Sequence, residues 1–227
     1  MISADQEKKW SQFYTKITSG DYPKWPNETI LKLFFGTYLK SKTFIKSGQT
    51  LLDVGCGTGQ NFTPFLEKGL DCYGVEVHPD LCELTEHLFK ERGLSVSVKY
   101  GNNQNLPFEN EYFDYLLSLN VIHYEPTEED MKKAIEEHAR VLKKGGKFFL
   151  MTVGPEHIIY RQAKALGNHL YEIADFDFRN GQTFFYFDNI KYVEQYLSPY
   201  FSSIEFGRVT ENLMERPLDF LIAVATK

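Results

Sequence analysis

The stretch Leu51-Leu52-Asp53-Val54-Gly55-Cys56-Gly57-Thr58-Gly59-Gln60-Asn61 sets three alternating glycines directly after a short apolar run that contains one acid. The run 51–54 is typical of a buried parallel strand, and Asn61 can open the helix that follows. Glycine at positions 55, 57 and 59 allows a sharp bend and lets a ligand approach where a Cβ atom would collide. These residues therefore predict a strand, a ligand-binding turn and a helix.

The spacing of the glycines distinguishes between classes of ligand. A dinucleotide site has its third glycine one position later, and here that position is Gln60. Such a site also holds a pyrophosphate at the helix N-terminus, which the nearby carboxylate of Asp53 would repel. The same carboxylate suits a ligand that carries positive charge. A nicotinamide dehydrogenase is therefore disfavoured.

The stretch 51–61 resembles the first motif of the class I S-adenosylmethionine-dependent methyltransferases, whose cofactor carries a sulfonium and an ammonium group and no phosphate. Residues 101–108 are similar to the family's G-D-x-x-x-L-P-F segment, and residues 140–147 are similar to its R-x-L-x-x-G-G segment. Residues 113–124 continue the likeness between these two segments. The resemblance covers roughly residues 48–153 and implies S-adenosyl-L-methionine as the cofactor.

Several residues at the predicted strand ends are candidates for binding this cofactor. Glu76 follows Gly57 by nineteen residues and can accept both hydroxyls of a ribose, although a solvated strand-end carboxylate is the alternative. Asp53 can hold the turn or orient the ammonium group. Asn102 stands where the family has the acid that binds the adenine amine, and its uncharged amide would bind more weakly, or simply form a turn. The predicted set is Asp53, Gly55, Cys56, Gly57, Gly59, Asn61, Glu76, Val77, Asn102, Asn103, Leu119 and Asn120.

His123 is the candidate general base, since it follows the fourth predicted strand and imidazole titrates near neutral pH. The alternative is a structural histidine that only forms hydrogen bonds. The methyl acceptor is expected to contact segments outside the sheet, where an aromatic N-terminal segment either closes over the cofactor or covers a sheet edge. The predicted acceptor-binding residues are Tyr14, Tyr22, Trp25, His123, Tyr124 and Tyr186, and no metal ligands are expected.

Alternation of strands and helices predicts a doubly wound α/β sheet, and two terminal strands joined without a long helix predict an antiparallel C-terminal edge, as the resemblance also implies. The expected fold is a Rossmann-like seven-stranded sheet with helices on both faces. One methyltransferase domain is expected over residues 1–227. Its parts are a helical cap (1–47), a cofactor-binding core (48–153), an aromatic lid insertion (154–187) and a C-terminal helix with edge strands (188–227). The predicted helices cover 27–46, 61–68, 79–92, 127–142 and 188–200, and the strands cover 50–54, 72–77, 95–100, 112–118, 147–153, 203–209 and 219–226.

The insertion has its own pattern. Residues 157–171 are predicted to be helical, and Asn180-Gly181 between aromatic flanks predicts a hairpin over 176–187. We expect this hairpin to act as a lid that shapes the acceptor pocket. The alternatives are a subdomain core or a contact between two copies of the chain, so a homodimer is compatible with the pattern.

The composition is that of a globular protein, with 42% hydrophobic and 25% charged residues among 227. The chain has no run of about 18 apolar residues, and its first residues lack the apolar core of a secretory signal. Three cysteines without metal-ligand spacing predict free thiols in a reducing, cytoplasmic compartment. The net charge of −6 disfavours a broad nucleic-acid surface.

The sequence thus predicts methyl transfer from S-adenosyl-L-methionine to a small-molecule acceptor, mainly by positioning in a closed pocket. Two alternatives stay open. One is an RNA or protein methyltransferase of the same fold, although the exit of the fourth strand, Ser118-Leu119-Asn120-Val121, lacks an N-P-P-Y-like motif. The other is a protein that binds the cofactor without turnover.

Overall fold

The computed structural model describes residues 24–41 and 45–227. Two of the predicted acceptor residues, Tyr14 and Tyr22, lie outside the described residues. The strands are, in chain order, β1 (Thr50–Val54), β2 (Asp71–Glu76), β3 (Ser97–Tyr100), β4 (Phe113–Leu119), β5 (Leu142–Val153), β6 (Lys164–Gly167), β7 (Leu170–Glu172), β8 (Thr183–Phe185), β9 (Ser203–Leu213) and β10 (Arg216–Thr226).

Seven of these strands form one mixed sheet in the order β3-β2-β1-β4-β5-β10-β9. Strand β1 is central and pairs in parallel with β2 on one side and β4 on the other. The strand order reverses between β1 and β4, and ligands of open α/β sheets bind at the carboxyl end of such a switch point. Strand β10 runs antiparallel to both β5 and β9, which confirms the predicted antiparallel C-terminal edge.

Helices cover both faces of this sheet because successive side chains in a strand point to opposite sides. In β1, Leu51 packs in the same core cluster as Phe34 and Phe65, whereas its neighbour Leu52 packs in the cluster that contains Ile135 and Val193. The helices are α1 (Glu28–Phe35), α2 (Thr63–Leu66), α3 (Pro79–Glu91), α4 (Glu128–Val141) and α5 (Ile190–Leu197), with 3₁₀ turns at Ile122–Tyr124 and Ile158–Tyr160. Helices α1, α2 and α3 lie on one face, and α4 and α5 on the other.

Helix α1 is shorter than the predicted helix over 27–46. The side chain of Asn27 caps its start by accepting a 2.9 Å hydrogen bond from the backbone N–H of Thr29. The helix ends at Phe35 because Gly36 leaves the helical conformation while its N–H still bonds to the carbonyl of Lys32. The ring of Phe34 stacks on Phe149 of β5 at 3.9 Å, so tertiary packing fixes this short helix to the sheet.

The predicted helix over 157–171 is wrong. A single 3₁₀ turn is followed by a hairpin of β6 and β7, whose two turn residues, Asn168 and His169, have φ values of +49° and +60°. Two residues with positive φ form the tight turn that matches the twist of paired strands. Gly167-Asn168 is the turn signal in this segment, and the helix prediction overlooked it.

The predicted hairpin over 176–187 is wrong in its first strand, because 176–182 contain no strand and a hairpin of β7 and β8 stands in its place. Strand β8 pairs with β7, so the connection covers 173–182 and contains the predicted Asn180-Gly181 turn, with φ of +84° at Gly181. Strands β6, β7 and β8 form a separate three-stranded sheet. None of the helices within the described ranges is long and apolar enough to cross a membrane.

Candidate functional site

The turn after β1 needs glycine for its backbone conformation at three positions and for close approach to other groups at two of them. Gly55, Gly57 and Gly59 have φ values of +69°, +55° and +71°, which only glycine adopts readily. A Cβ atom at Gly55 would lie 2.5 Å from Val121, and one at Gly59 would lie 2.7 Å from Phe62. A Cβ atom at Gly57 would meet nothing within 4 Å, so the backbone there is open to a ligand.

Glu76 ends β2 beside this turn, where its carboxylate is buried. It accepts hydrogen bonds from the backbone N–H groups of Gly57, at 3.1 Å, and Val77, at 2.7 Å. Burial raises the pKa of this carboxyl, and the backbone hydrogen bonds oppose that rise. Each carboxylate oxygen accepts more than one hydrogen bond, so Glu76 can hold the turn and still receive two hydroxyl donors.

Asp53 lies within β1 and is also buried. It accepts a 3.0 Å hydrogen bond from the side-chain amide of Asn61, and no cation of the described residues pairs with it. Burial raises the pKa of Asp53 to about 7. A buried carboxylate in this state favours a cationic ligand, because an adjacent positive charge would lower its pKa again.

The segment after β3 presents two asparagines in different environments. Asn102 is exposed, and its Oδ1 accepts a 3.0 Å hydrogen bond from the backbone N–H of Gln104. One acceptor site of this amide oxygen is therefore used within the local turn. Asn103 is buried and donates a 2.7 Å hydrogen bond to Glu125. Its Oδ1 is buried and has no hydrogen-bond partner within residues 24–41 and 45–227. A ligand N–H group would satisfy this oxygen.

Four predicted site residues lie at the exit of β4, namely Leu119, Asn120, His123 and Tyr124. Leu119 ends the strand, and Asn120 adopts φ of +59° with a buried Oδ1 that lacks a partner in the described part of the chain. His123 is buried, and its Nδ1 lies 3.1 Å from the hydroxyl of Thr152. Burial, followed by the positive charge of Arg179, lowers the pKa of His123 to about 3. This imidazole is neutral at physiological pH and is a weak proton acceptor.

Residues 52–150 match the sequence profile of a family described as a methyltransferase domain. An uncharacterized protein of Methanocaldococcus jannaschii is 30% identical over 159 residues, which cover 69% of this chain and 70% of that protein. A tRNA (carboxymethyluridine(34)-5-O)-methyltransferase of Arabidopsis thaliana is 34% identical over 140 residues, or 60% of this chain. The match spans only 29% of that plant enzyme, so this chain covers well under two thirds of its length.

Among solved structures, a SAM-dependent methyltransferase from Methanosarcina mazei has the same fold. The two align with a TM-score of 0.68 and 19% identity, over 81% of this chain and 94% of the other. This chain belongs to the class I S-adenosylmethionine-dependent methyltransferases. The predicted family, fold and cofactor are confirmed.

The residues of this methyltransferase fit the cofactor in three respects. The open face at Gly57 admits a ligand close to the backbone. The buried carboxylate of Asp53 suits positive charge, and S-adenosylmethionine carries both a sulfonium and an ammonium group. The Oδ1 of Asn103, which has no partner among the described residues, suits an amino group such as that of adenine. The donors and acceptors of the site therefore complement the cofactor that the family uses.

The aromatic insertion (154–187) packs over the exit of β4. The ring of Phe184 in β8 lies 4.5 Å from His123 and 4.5 Å from Tyr124, measured between ring centroids. Tyr160 and Tyr124 both pack against the hydrophobic cluster that contains Phe184, and Tyr186 lies 4.8 Å from Tyr160, so these rings form one aromatic wall. The predicted acceptor residues His123, Tyr124 and Tyr186 therefore lie in one aromatic region.

Trp25 does not join this region, because 84% of its surface is exposed. Its neighbour Lys24 lines a pocket of about 250 Å³ together with Thr58, Gly59 and Gln60 of the glycine turn. The predicted N-terminal segment thus reaches the turn through Lys24. Val77 is partly exposed beside Glu76, and Cys56 is buried within the turn.

Two charged groups of this region were not found from the sequence. Glu125 binds the side-chain amides of both Asn103 and Gln104, the latter at 2.6 Å. Asp219 of β10 is buried and accepts hydrogen bonds from Arg208, at 2.6 Å, and from the backbone N–H of Glu156, at 2.8 Å. An acid placed in an otherwise apolar strand was the available signal for Asp219.

Proposed function

We propose that this chain transfers the methyl group of S-adenosylmethionine to a small-molecule acceptor in a pocket beneath the aromatic insertion (154–187). The observation that carries the proposal is the packing of Phe184 against both His123 and Tyr124 at the exit of β4. These rings would cover the carboxyl ends of the strands and restrict the access of large acceptors to the cofactor. Apolar walls with a few polar groups are usual in pockets for small ligands.

The cofactor would be held along the ends of β1, β2 and β3. Glu76 would accept the two ribose hydroxyls while its backbone hydrogen bonds keep it against the glycine turn. Asp53 and Asn61 would face the methionine end, and Asn103 would accept a hydrogen bond from the adenine amine. The remaining predicted contacts, to be tested with these, are Gly55, Cys56, Gly57, Gly59, Val77, Asn102, Leu119 and Asn120.

When bound, S-adenosylmethionine would supply an electrophilic methyl group. The lone pair of the acceptor atom would bond to the methyl carbon, the carbon–sulfur bond would break with its electrons staying on the sulfur of S-adenosylhomocysteine, and any proton on the acceptor atom would be released to solvent. The protein's part is to align the acceptor with that methyl group and to exclude water. A general-base role for His123 stays a prediction, and its burial argues against it because a pKa of about 3 disfavours proton uptake. Thr152 instead fixes the imidazole in place.

The test is a labelled-methyl screen with the purified chain and tritium-labelled S-adenosylmethionine. Parallel reactions contain a metabolite extract or total tRNA, and a Glu76→Gln variant measures the background. We expect saturable label in a compound of low molecular mass. Label in tRNA with none in the metabolite fraction would overturn the small-molecule proposal.

A tRNA acceptor is the second candidate, because the Arabidopsis tRNA enzyme is 34% identical over 60% of this chain. Binding of tRNA requires phosphate neutralisation by clustered lysine and arginine, and this chain carries a net charge of −6. The charge balance therefore favours the small molecule. The two arms of the labelling experiment separate the candidates directly.

A further inference from the structure

Gln182 immediately precedes β8. It lies on the face of the β6-β7-β8 sheet that packs against the exit of β4. The N–H of Ile173 donates a 2.8 Å hydrogen bond to the carbonyl of Gln182, so the β7–β8 ladder continues to this residue. Side chains two residues apart in a strand share a face. Gln182 therefore lies on the same face as Phe184, which packs on His123 and Tyr124.

The side-chain amide of Gln182 is buried and unsatisfied. The residue is 1% exposed, and neither its Oε1 nor its Nε2 has a hydrogen-bond partner in the described ranges. The hydroxyl of Tyr160, whose ring lies 4.8 Å from Tyr186 on the same wall, is likewise buried without a partner there. Leaving such groups unpaired costs about 1–3 kcal/mol each, and a ligand that bonds to them would remove that cost.

The charges near these groups are already compensated. The guanidinium of Arg179 contacts both carboxylate oxygens of Asp177 through its Nε, at 2.9 and 3.1 Å, and also bonds to Tyr124. It further lies 4.8 Å from the ring of Phe176. An anionic acceptor would have to displace Asp177. Within the described part of this aromatic region, the unpartnered groups that can bind a ligand are the uncharged amide of Gln182 and the phenol of Tyr160.

We propose that Gln182 and Tyr160 recognise the methyl acceptor, and that this acceptor is a neutral planar ring with a hydrogen-bond donor beside an acceptor atom, as in a lactam. An amide side chain offers both an acceptor and a donor, so it matches such an edge with two parallel hydrogen bonds. The aromatic wall accommodates the face of the ring. This inference rests on the proposed function, since it assigns the acceptor side of the same site.

The test is a ligand-observed NMR titration of the full chain saturated with S-adenosylhomocysteine. The probes are 2-pyridone, which has adjacent N–H and C=O groups, N-methyl-2-pyridone, which lacks the donor, and benzoate, which is anionic. We expect the wild type to bind 2-pyridone at least about tenfold more tightly than either other probe. Gln182→Met and Tyr160→Phe should each weaken 2-pyridone binding by about tenfold, with unchanged affinity for S-adenosylhomocysteine.

His138→Leu is the matched control, because His138 is also buried with both ring nitrogens unpaired among the described residues but packs against Phe148 in the core. Gln182→Met and His138→Leu should both raise the melting temperature, and only Gln182→Met should weaken probe binding. Equal affinity of Gln182→Met and wild type, tighter binding of benzoate, or no binding of 2-pyridone to the wild type would overturn the inference.

The failure of this inference and that of the proposed function give different results. Gln182-dependent binding of 2-pyridone without methylation of any metabolite would contradict the proposed function alone. Methylation of a metabolite that Gln182→Met leaves unchanged in KM and kcat would contradict the inference alone.

Discussion

The carboxylate of Asp53 accepts a 3.0 Å hydrogen bond from the side-chain amide of Asn61. Asn61 uses its Oδ1 to accept a second hydrogen bond, also 3.0 Å long, from the backbone N–H of Asn27, the N-cap of α1. One side chain thus joins the acid of β1 to the segment that enters α1. Because an amide, rather than a cation of the described residues, contacts Asp53, burial dominates and raises its pKa to about 7.

Asp53→Asn should stabilise the protein without cofactor and weaken cofactor binding. The amide of asparagine has the same shape and carries no buried charge. Because each pKa unit corresponds to about 1.4 kcal/mol, we expect the free energy of unfolding to rise by about 2–4 kcal/mol at pH 8. Urea unfolding measures this gain, and calorimetry should show affinity for S-adenosylmethionine reduced about tenfold or more. Unchanged cofactor affinity would remove Asp53 from the site.

Affinity for S-adenosylmethionine should depend on pH through the same residue. The positively charged cofactor favours the carboxylate form of Asp53, whose pKa of about 7 in the folded protein means that acidification protonates it. Calorimetric affinity should therefore fall as the pH drops below about 7, and Asp53→Asn should flatten the profile.

The contribution of Asp53 to the stability of the cofactor-free protein should fall as the pH rises, whereas the affinity for S-adenosylmethionine should increase. The pKa of Asp53 is raised in the folded state. Its contribution to the free energy of unfolding is therefore fully present below about pH 4 and is lost as the pH rises through about 7. Subtracting the Asp53→Asn profile from that of the wild type isolates this contribution. A wild-type profile that parallels the variant's across this range would contradict the assignment.

The sequence predicted the parts of the site that local spacing determines. The apolar run before three alternating glycines identified β1 and its turn, and a fixed distance along the chain identified Glu76. Contacts between distant segments carry no such signal: Asn103 bonds to Glu125, and the backbone of Glu156 bonds to Asp219 sixty-three residues later. Residues 157–171 of the insertion were mispredicted as helical for a related reason: β6 and β7 are held by pairing with each other and with β8 and not by a buried apolar face, since all four residues of β6 are exposed.

Glu76→Gln should weaken cofactor binding specifically. The substitution keeps one acceptor oxygen but removes the charge that strengthens hydrogen bonds from ribose hydroxyls and from the N–H of Gly57. We expect the Kd for S-adenosylmethionine to rise about tenfold to hundredfold, as loss of one charge-assisted pair implies. Glu67→Gln, an exposed change just after α2, is the control and should bind normally. Equal affinities of the two variants would exclude the ribose role.

Asp219→Ala should loosen the aromatic insertion and leave the cofactor site intact. The buried carboxylate fixes Glu156, at the start of the insertion, to Arg208 on β9. Without it, we expect hydrogen exchange of residues 154–187 to rise about tenfold, reflecting easier local opening. Affinity for S-adenosylmethionine should not change. Faster exchange confined to β9 and β10, with none in the insertion, would show that Asp219 does not anchor it.

His138 should make the protein sensitive to acid. Its buried ring has no hydrogen-bond partner within the described residues, and burial lowers its pKa to about 3. Since the unfolded chain takes up a proton near pH 6.5, stability is lost as the pH falls below that value. Between pH 7.5 and 5.5 the wild type should lose about 1.4 kcal/mol more of its free energy of unfolding than His138→Leu. The comparison cancels the opposing effect of Asp53, which both proteins share. Urea unfolding at the two pH values measures the difference, and equal losses would mean that His138 gains a partner in solution.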